Sequence, residues 1–297
     1  MKKPACILIA TDLSEHAGRA ETRAAMLAQS LGAEKLVLLH VVPRLPLEAL
    51  TGILDRTPLE TGQRLVDAAS AELAKRARRL GEQFGVAAET LVRIGRPHVE
   101  AAEVAETLDA GLLVAGGYGA DLARGLFLGA TAEKILSQSR RPVLVVKQAP
   151  EAPYRRLLAP TDFSPSSARA LDWARAIAGE ADITVAHVYE APYESTLRYA
   201  GVSDEVIETH IAAARRQTQE ALEAFLAPRR ADGANYFQRI LHGHPAAGIR
   251  ELAEEMRPDL IVLGKHGQSE IEELLLGSVT RHVLTETPCD MLIARAA

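Results

Sequence analysis

Two tandem α/β domains, each a doubly wound parallel sheet with helices on both faces, are what this chain of 297 residues predicts. Three observations predict it. The chain matches itself at a nearly fixed spacing, its short apolar runs lack alternation, and the longer stretches between them carry helical periodicity.

The self-match runs through the whole chain. "ILIATDLSEHAGRA" (7–20) pairs with "LLAPTDFSPSSARA" (157–170), and "LVLLHVV" (36–42) pairs with "ITVAHVY" (183–189). "RIGRP" (93–97) and "LLVAGGYG" (112–119) meet "LHGHP" (241–245) and "LIVLGKHG" (260–267), both 148 residues on. The repeats are expected over 1–148 and 155–297, with Pro150 and Pro153 interrupting the pattern in a 149–154 linker.

Within each repeat the elements follow from residue type. "CILIA", "LVLLHVV", "LLVAG" and "VLVV" read as strands buried on both faces of a parallel sheet. In "TDFSPSSARALDWARAIAG", Ser164 is a natural N-cap, Pro165 fits the first helical position and Gly179 follows the last turn. Val206, His210, Ala214, Leu222 and Phe225 recur as one face of a helix would. In such a fold a ligand crevice lies beyond the carboxyl ends of the strands. Asp12 and Asp162 follow the first strand of each repeat, His40 with Val41 and His187 with Val188 end the second, and the glycines leave the fourth.

Composition excludes several functions. The net charge of -5 is spread without a long basic run, so nucleic-acid binding has no visible source of phosphate neutralisation. Cys6 and Cys289 lie in or beside apolar runs and suit small buried thiols in a reducing compartment. The apolar stretch of "MKKPACILIATD" stops at Asp12, short of the roughly 7 to 15 residues of a secretory leader. No apolar run approaches the roughly 20 residues of a membrane span. A cytoplasmic protein is expected.

Gly264, Gly267 and Gly277, with Ser278 directly after, form the most informative motif. Glycines let backbone approach a ligand, and a helix starting at Gly-Ser aims amide hydrogens at an anion, which suits phosphate. Gly116, Gly119 and Gly129 repeat the spacing in the first half. A bare tight turn is the alternative, but spacing held across two diverged repeats favours one shared site geometry. No G-x(4)-G-K-[ST] is present, and Leu122 occupies the third small position of a dinucleotide fingerprint.

These residues resemble the universal stress proteins, here as a tandem pair. The motif G-x(2)-G-x(9)-G-[ST] of the family's ATP-binding members is matched in full by Gly264, Gly267, Gly277 and Ser278. "TDLS" and "TDFS", the G-x-P before the third helix, and the last strands "PVLVV" and "DMLIA" extend the resemblance over nearly the whole chain. It implies a sheet in the adenine nucleotide alpha hydrolase-like or flavodoxin-like order, and ATP, ADP or AMP as ligand, with or without a magnesium ion. Asp162 and the Val188 backbone would line the adenine and ribose end, with Pro160 and Thr161 on the adjoining wall. The glycines, Ser278, Val279 and Thr280 would hold phosphates. The first repeat offers Thr11, Asp12, Val41, Gly116, Gly119 and Gly129.

The repeats differ where phosphate would sit. Ala130 replaces Ser278 and Ala132 replaces Thr280, so the second repeat is expected to be the stronger nucleotide site unless Thr131 compensates for the lost hydroxyl. Glu270, Glu272 and Glu273 in its loop would repel phosphate unless they face outward or Lys265, His266 or a cation offsets them. His242 and His244 share a strand face but lack a third metal ligand. His40 and His187 read as structural histidines, and Trp173 as core. No base held against a nucleophile occurs in both halves. A nucleotide-dependent conformational or partner switch in stress response is therefore expected. Slow ATP hydrolysis or phosphoryl transfer, and an interaction scaffold with a vestigial site, stay open.

The last strands are apolar and would lie at sheet edges, which proteins rarely leave uncovered. The family resemblance implies that the two repeats pair through them as a pseudo-dimer, with a further homodimer left open. The segments after each second strand differ most between repeats, and loops so placed often carry function.

Overall fold

The computed structural model describes residues 4–44, 58–117, 128–230, 236–265 and 276–295, excepting the side chains of residues 58 and 59. The chain divides into two compact units, Met1–Pro153 with Asp290–Ile293, and Tyr154–Cys289 with Ala294–Ala297.

The first unit runs β1 (Cys6–Thr11), α1 (Glu15–Leu31), β2 (Lys35–Pro43), α2 (Pro58–Phe84), β3 (Ala88–Gly95), α3 (Pro97–Thr107), β4 (Leu112–Gly116), α4 (Ala130–Gln138) and β5 (Val143–Val146). Its parallel strands stand in the order β3-β2-β1-β4-β5. Ile7, Leu8 and Ile9 are wholly buried because helices cover both faces of β1. α1 packs on β1, β4 and α2, whereas α3 packs on β2 and α4. Ser14 caps α1 by accepting the Ala17 N–H, and Gly32 ends it in the left-handed conformation at φ 64. The last part of the chain adds one antiparallel strand, with Met291, Leu292 and Ile293 opposite Val145, Leu144 and Val143.

The second unit repeats the order as β6 (Arg156–Pro160), α5 (Pro165–Ala178), β7 (Asp182–Tyr189), α6 (Glu194–Tyr199), α7 (Asp204–Arg230), β8 (Tyr236–His242), α8 (Pro245–Met256), β9 (Leu260–Gly264), α9 (Ser278–Glu286) and β10 (Asp290–Ala294), whose first four residues count with the first unit. Its parallel strands run β9-β6-β7-β8. Ser164 caps α5 by accepting the Ser167 N–H, Pro165 takes the first helical position, and Trp173 is core at 3% exposure.

Three expectations need correction or limits. The strand order places the crossover reversal between β1 and β4, so the flavodoxin-like order 2-1-3-4-5 does not apply. The stripe on α7 begins at Ile207, which is buried, while Val206 is 54% exposed. A step of one residue rotates a helix by about 100°, so the two cannot share a face. Gly119, Gly267, His266, Glu270, Glu272 and Glu273 lie outside the described residues. Among the described residues no helix is long and apolar enough to cross a membrane.

Candidate functional site

Each "TD-x-S" stretch folds into the same strained turn. Thr161 Oγ1 accepts the Phe163 N–H at 3.0 Å, and Asp162 Oδ1 accepts the Ser164 N–H at 3.1 Å. Thr11 and Asp12 do the same for Leu13 and Ser14, at 3.2 and 3.0 Å. Phe163 and Leu13 both sit at φ 64, which a non-glycine residue adopts only when its surroundings hold it there. The turn lifts the aspartate out of the strand and delivers the chain to the helix cap.

In the second unit this turn borders a crevice of about 540 Å³ at the carboxyl ends of β6, β7 and β9. That volume lies within the range of small-ligand sites. Pro160, Thr161, Asp162 and Val188 line one side, and Gly264, Gly277, Ser278, Val279 and Thr280 the other. Nine of the ten residues expected in this site thus share one cavity, and Gly267 is the undescribed tenth. Sequence reasoning missed Ser167, Ile249 and Leu263 of the lining. It noted the repeated G-x-P but not that Pro245 would form wall.

The main chain of β7 opens toward the crevice. The Thr161 N–H donates to the Ala186 carbonyl, whereas the Tyr189 carbonyl on the opposite edge accepts from Gly243. Strand groups alternate in direction, so the N–H and C=O of Val188 point to the same side as those of Ala186, beyond the end of β6. A planar ring with neighbouring donor and acceptor atoms would meet both.

At the other end stands the first turn of α9. Gly277 is its N-cap, and the first helical bond runs from the Arg281 N–H to the Gly277 carbonyl. The amides of Ser278, Val279 and Thr280 precede that bond and have no acceptor within the helix. The Gly277 N–H donates to the Lys265 carbonyl at 3.1 Å, and the Thr280 hydroxyl donates to the Gly264 carbonyl at 3.0 Å. Thr280 therefore ties α9 to β9, and its main chain rather than its hydroxyl hydrogen faces the anion role. Gly264 also has a packing reason to be glycine: an added Cβ would lie 2.9 Å from the Ser166 carbonyl carbon.

His187 borders the same cavity, its Nδ1 2.7 Å from the Thr161 carbonyl. A carbonyl only accepts, so Nδ1 carries the hydrogen. Phe163 stacks on the ring at 4.4 Å, and burial pushes the His187 pKa below its ordinary value. The unfolded chain then takes a proton that the folded chain resists, so this contribution to stability is full above about pH 6.5 and falls away as the pH drops below it. His187→Gln is expected to flatten the loss of melting temperature between pH 7 and pH 5. Parallel slopes for parent and variant in a pH series of thermal melts would contradict this.

The first unit has a matching cavity of about 520 Å³ lined by Thr11, Asp12, Val41, Gly116 and Gly129, together with Pro97 of the G-x-P and with Pro43, which the sequence reading did not single out. His40 Nδ1 lies 2.9 Å from the Thr11 carbonyl, and Gly129 donates to Gly117. Here Ala130 and Ala132 offer no hydroxyl, and Thr131 between them, also in the lining, carries the one at this helix start. Thr11 donates to the buried Glu21 at 2.6 Å, where Thr161 instead meets Ser167 Oγ at 3.0 Å. Glu21 is held by Arg76, which also donates to the Leu13 carbonyl at 2.6 Å. His242 pairs with Glu194 at 2.7 Å, and the described residues contain no group of three metal-ligating side chains.

This geometry accords with the comparisons. The sequence profile of the universal stress protein family matches residues 6–147 and again 153–295, so the chain belongs to that family, with two copies of its domain. The universal stress protein MJ0531 of Methanocaldococcus jannaschii is 32% identical over 143 residues, covering 48% of this chain and 82% of that protein. The Mycobacterium tuberculosis protein Rv1636, also a universal stress protein, is 33% identical over 142 residues, covering 47% and 95%. A crystal structure of a universal stress protein from Archaeoglobus fulgidus superposes with a TM-score of 0.71 at 22% identity, covering 99% of each chain. That likeness shows the two-domain fold.

Proposed function

We propose that the chain binds an adenine nucleotide, ATP or its di- or monophosphate, in the crevice of the second unit, and that binding switches conformation or partner affinity in a stress response. One observation carries this reading: a single cavity joins the open edge of β7 at Val188, beside Asp162, to the first turn of α9. The Val188 main chain would meet the adenine edge, Asp162 would accept from a ribose hydroxyl, and Pro160 and Thr161 would form the wall.

The amides of Ser278, Val279 and Thr280 and the exposed Ser278 hydroxyl would hold phosphate. Gly264 and Gly277 serve by letting α5 and α9 approach, and Gly267 belongs to the same motif. A helix N-terminus contributes about 0.3–1 kcal/mol toward an anion, so several amides and a hydroxyl act together. Magnesium would arrive with the phosphates, held by them and by water rather than by a protein cage.

The first unit would bind more weakly through Thr11, Asp12, Val41, Gly116, Gly119 and Gly129, because Ala130 supplies no hydroxyl at the Ser278 position and the neighbouring Thr131 stands one residue further along the helix. A hydroxyl bonded to a charged group contributes about 1.5–3 kcal/mol, so Ser278→Ala is expected to weaken ATP binding by roughly tenfold to a hundredfold. Titration calorimetry on the full chain checks this. Unchanged affinity in Ser278→Ala would remove Ser278 from the site. The domains are further proposed to pair through their last strands, which would cover the apolar edge of β5.

A further inference from the structure

Residues Asp290–Ile293 complete the sheet of the first unit, with Leu292 opposite Leu144. Asp290, at the head of this strand, is 0% exposed. Its Oδ1 accepts the N–H of Lys147 at 2.7 Å and of Gln148 at 2.9 Å, and its Oδ2 lies 3.6 Å from Arg23 Nε. Arg23, 5% exposed on α1, donates from Nη1 to the Ala152 carbonyl at 2.7 Å. One buried carboxylate thus joins the end of β5, the residues that follow it and α1.

A second copy of β5 is the natural competitor for this edge. Laid antiparallel in the same register, with Leu144 opposite Leu144, it would set Pro142 where Asp290 stands, since each lies two residues before the central leucine. Proline has no side-chain acceptor. Arg23 would be left buried without its counter-ion, and the Lys147 and Gln148 N–H groups would lose their acceptor. The converse pairing, between two copies of β10, fails as well. By the alignment of "TDLS" with "TDFS", Trp173 occupies the place of Arg23 in the second repeat, and an indole cannot neutralise a carboxylate.

We propose that the Arg23–Asp290 pair is a selector that reserves the edge of β5 for this chain's own carboxy-terminal strand and bars the β5 of a second copy. The charges lie at the strand head, where a mismatch is felt without disturbing the apolar pairs Val143 to Ile293 and Leu144 to Leu292.

The test uses the full chain with Cys6→Ala and Cys289→Ala, carrying Leu144→Cys as reporter. When β5 faces Leu292 no interchain disulfide forms, whereas β5 facing β5 gives a crosslinked dimer on mild oxidation. Intramolecular pairing acts at an effective concentration of roughly millimolar, so the reporter chain and its variants are compared at one chain concentration approaching that value. Arg23→Met with Asp290→Asn keeps an acceptor at the strand head but removes both charges, and is expected to raise the dimer fraction at least tenfold over the reporter chain. Pro142→Asp with Asp290→Pro transfers the carboxylate to β5 and is expected to raise it further. Circular dichroism and thermal melts identify folded variants, and the Met/Asn variant decides if the proline variant unfolds. A folded Met/Asn variant with the reporter chain's dimer fraction, or a reporter chain already dimerised through its introduced thiol, would overturn the proposal.

Discussion

Arg76→Leu is expected to lower the melting temperature of the first unit by about 10 °C. The side chain reaches from α2 to Glu21 at 2.8 Å and to the Leu13 carbonyl at 2.6 Å, and pairs with Glu72 one turn back on the same helix at 3.1 Å. Glu21 is 0% exposed, and its remaining ionic neighbour, Arg79, is 3.6 Å away. Removing one partner of a buried pair costs roughly 3–5 kcal/mol when the other charge is left unpaired, and the partly exposed Arg79 together with the Thr11 hydroxyl holds the cost here to the lower end of that range. The second repeat shows the apolar solution. Leu171 stands at the same distance after the capping serine as Glu21, and Leu222 occupies the same place along a 27-residue helix as Arg76. Both leucines are buried. Glu21→Leu combined with Arg76→Leu should therefore recover most of the loss. Differential scanning calorimetry of the three variants checks the pair; a double variant no better than Arg76→Leu would mean that the lost bond to Leu13, not the stranded carboxylate, sets the cost.

Gly264→Val should weaken ATP binding by more than about a hundredfold, equivalent to about 2.7 kcal/mol. Its Cβ would stand 2.9 Å from the carbonyl carbon and Cβ of Ser166 and 3.0 Å from the Ser167 amide. These are mostly backbone atoms in the first turn of α5, so the helix must move, and Thr161 moves with it through Ser167. Overpacking of this kind also costs about 1–3 kcal/mol of stability. Gly18→Ala is the control. An added Cβ there meets nothing within 4 Å, and alanine in a helix interior is favoured over glycine by about 0.5–1 kcal/mol. Equal ATP affinity in Gly264→Val and Gly18→Ala would show that the approach of α5 to β9 does not shape the site.

The parts of this architecture that were legible in the sequence are those fixed by periodicity and punctuation. Unalternating runs such as "CILIA" read as doubly covered strands, and Ser164-Pro165 as the opening of a helix. The repeat then brought Asp162, Val188 and Gly264 to one end of a parallel sheet, because that fold collects loop residues there. What stayed hidden depends on direction rather than position. The sequence places Thr280 beside the cavity but does not say that its hydroxyl turns to the Gly264 carbonyl. It marks Gly264 as glycine but not that α5, rather than a ligand, demands it. Glu21 and Arg76 are far apart in the chain and carry no local pattern, so their pairing was invisible. On α7 an apolar stripe and its neighbour differ by one residue, and periodicity alone does not tell the exposed Val206 from the buried Ile207.

The most direct test of the nucleotide reading is a crystal structure of the full chain grown with saturating ATP. Difference density is expected in the crevice of the second unit, with the base against the Val188 main chain, the ribose within hydrogen-bond reach of Asp162, and phosphate oxygens at the amides of Ser278, Val279 and Thr280. Density confined to the first unit, or a second crevice left without nucleotide while Asp162 and Val188 keep their present geometry, would contradict it.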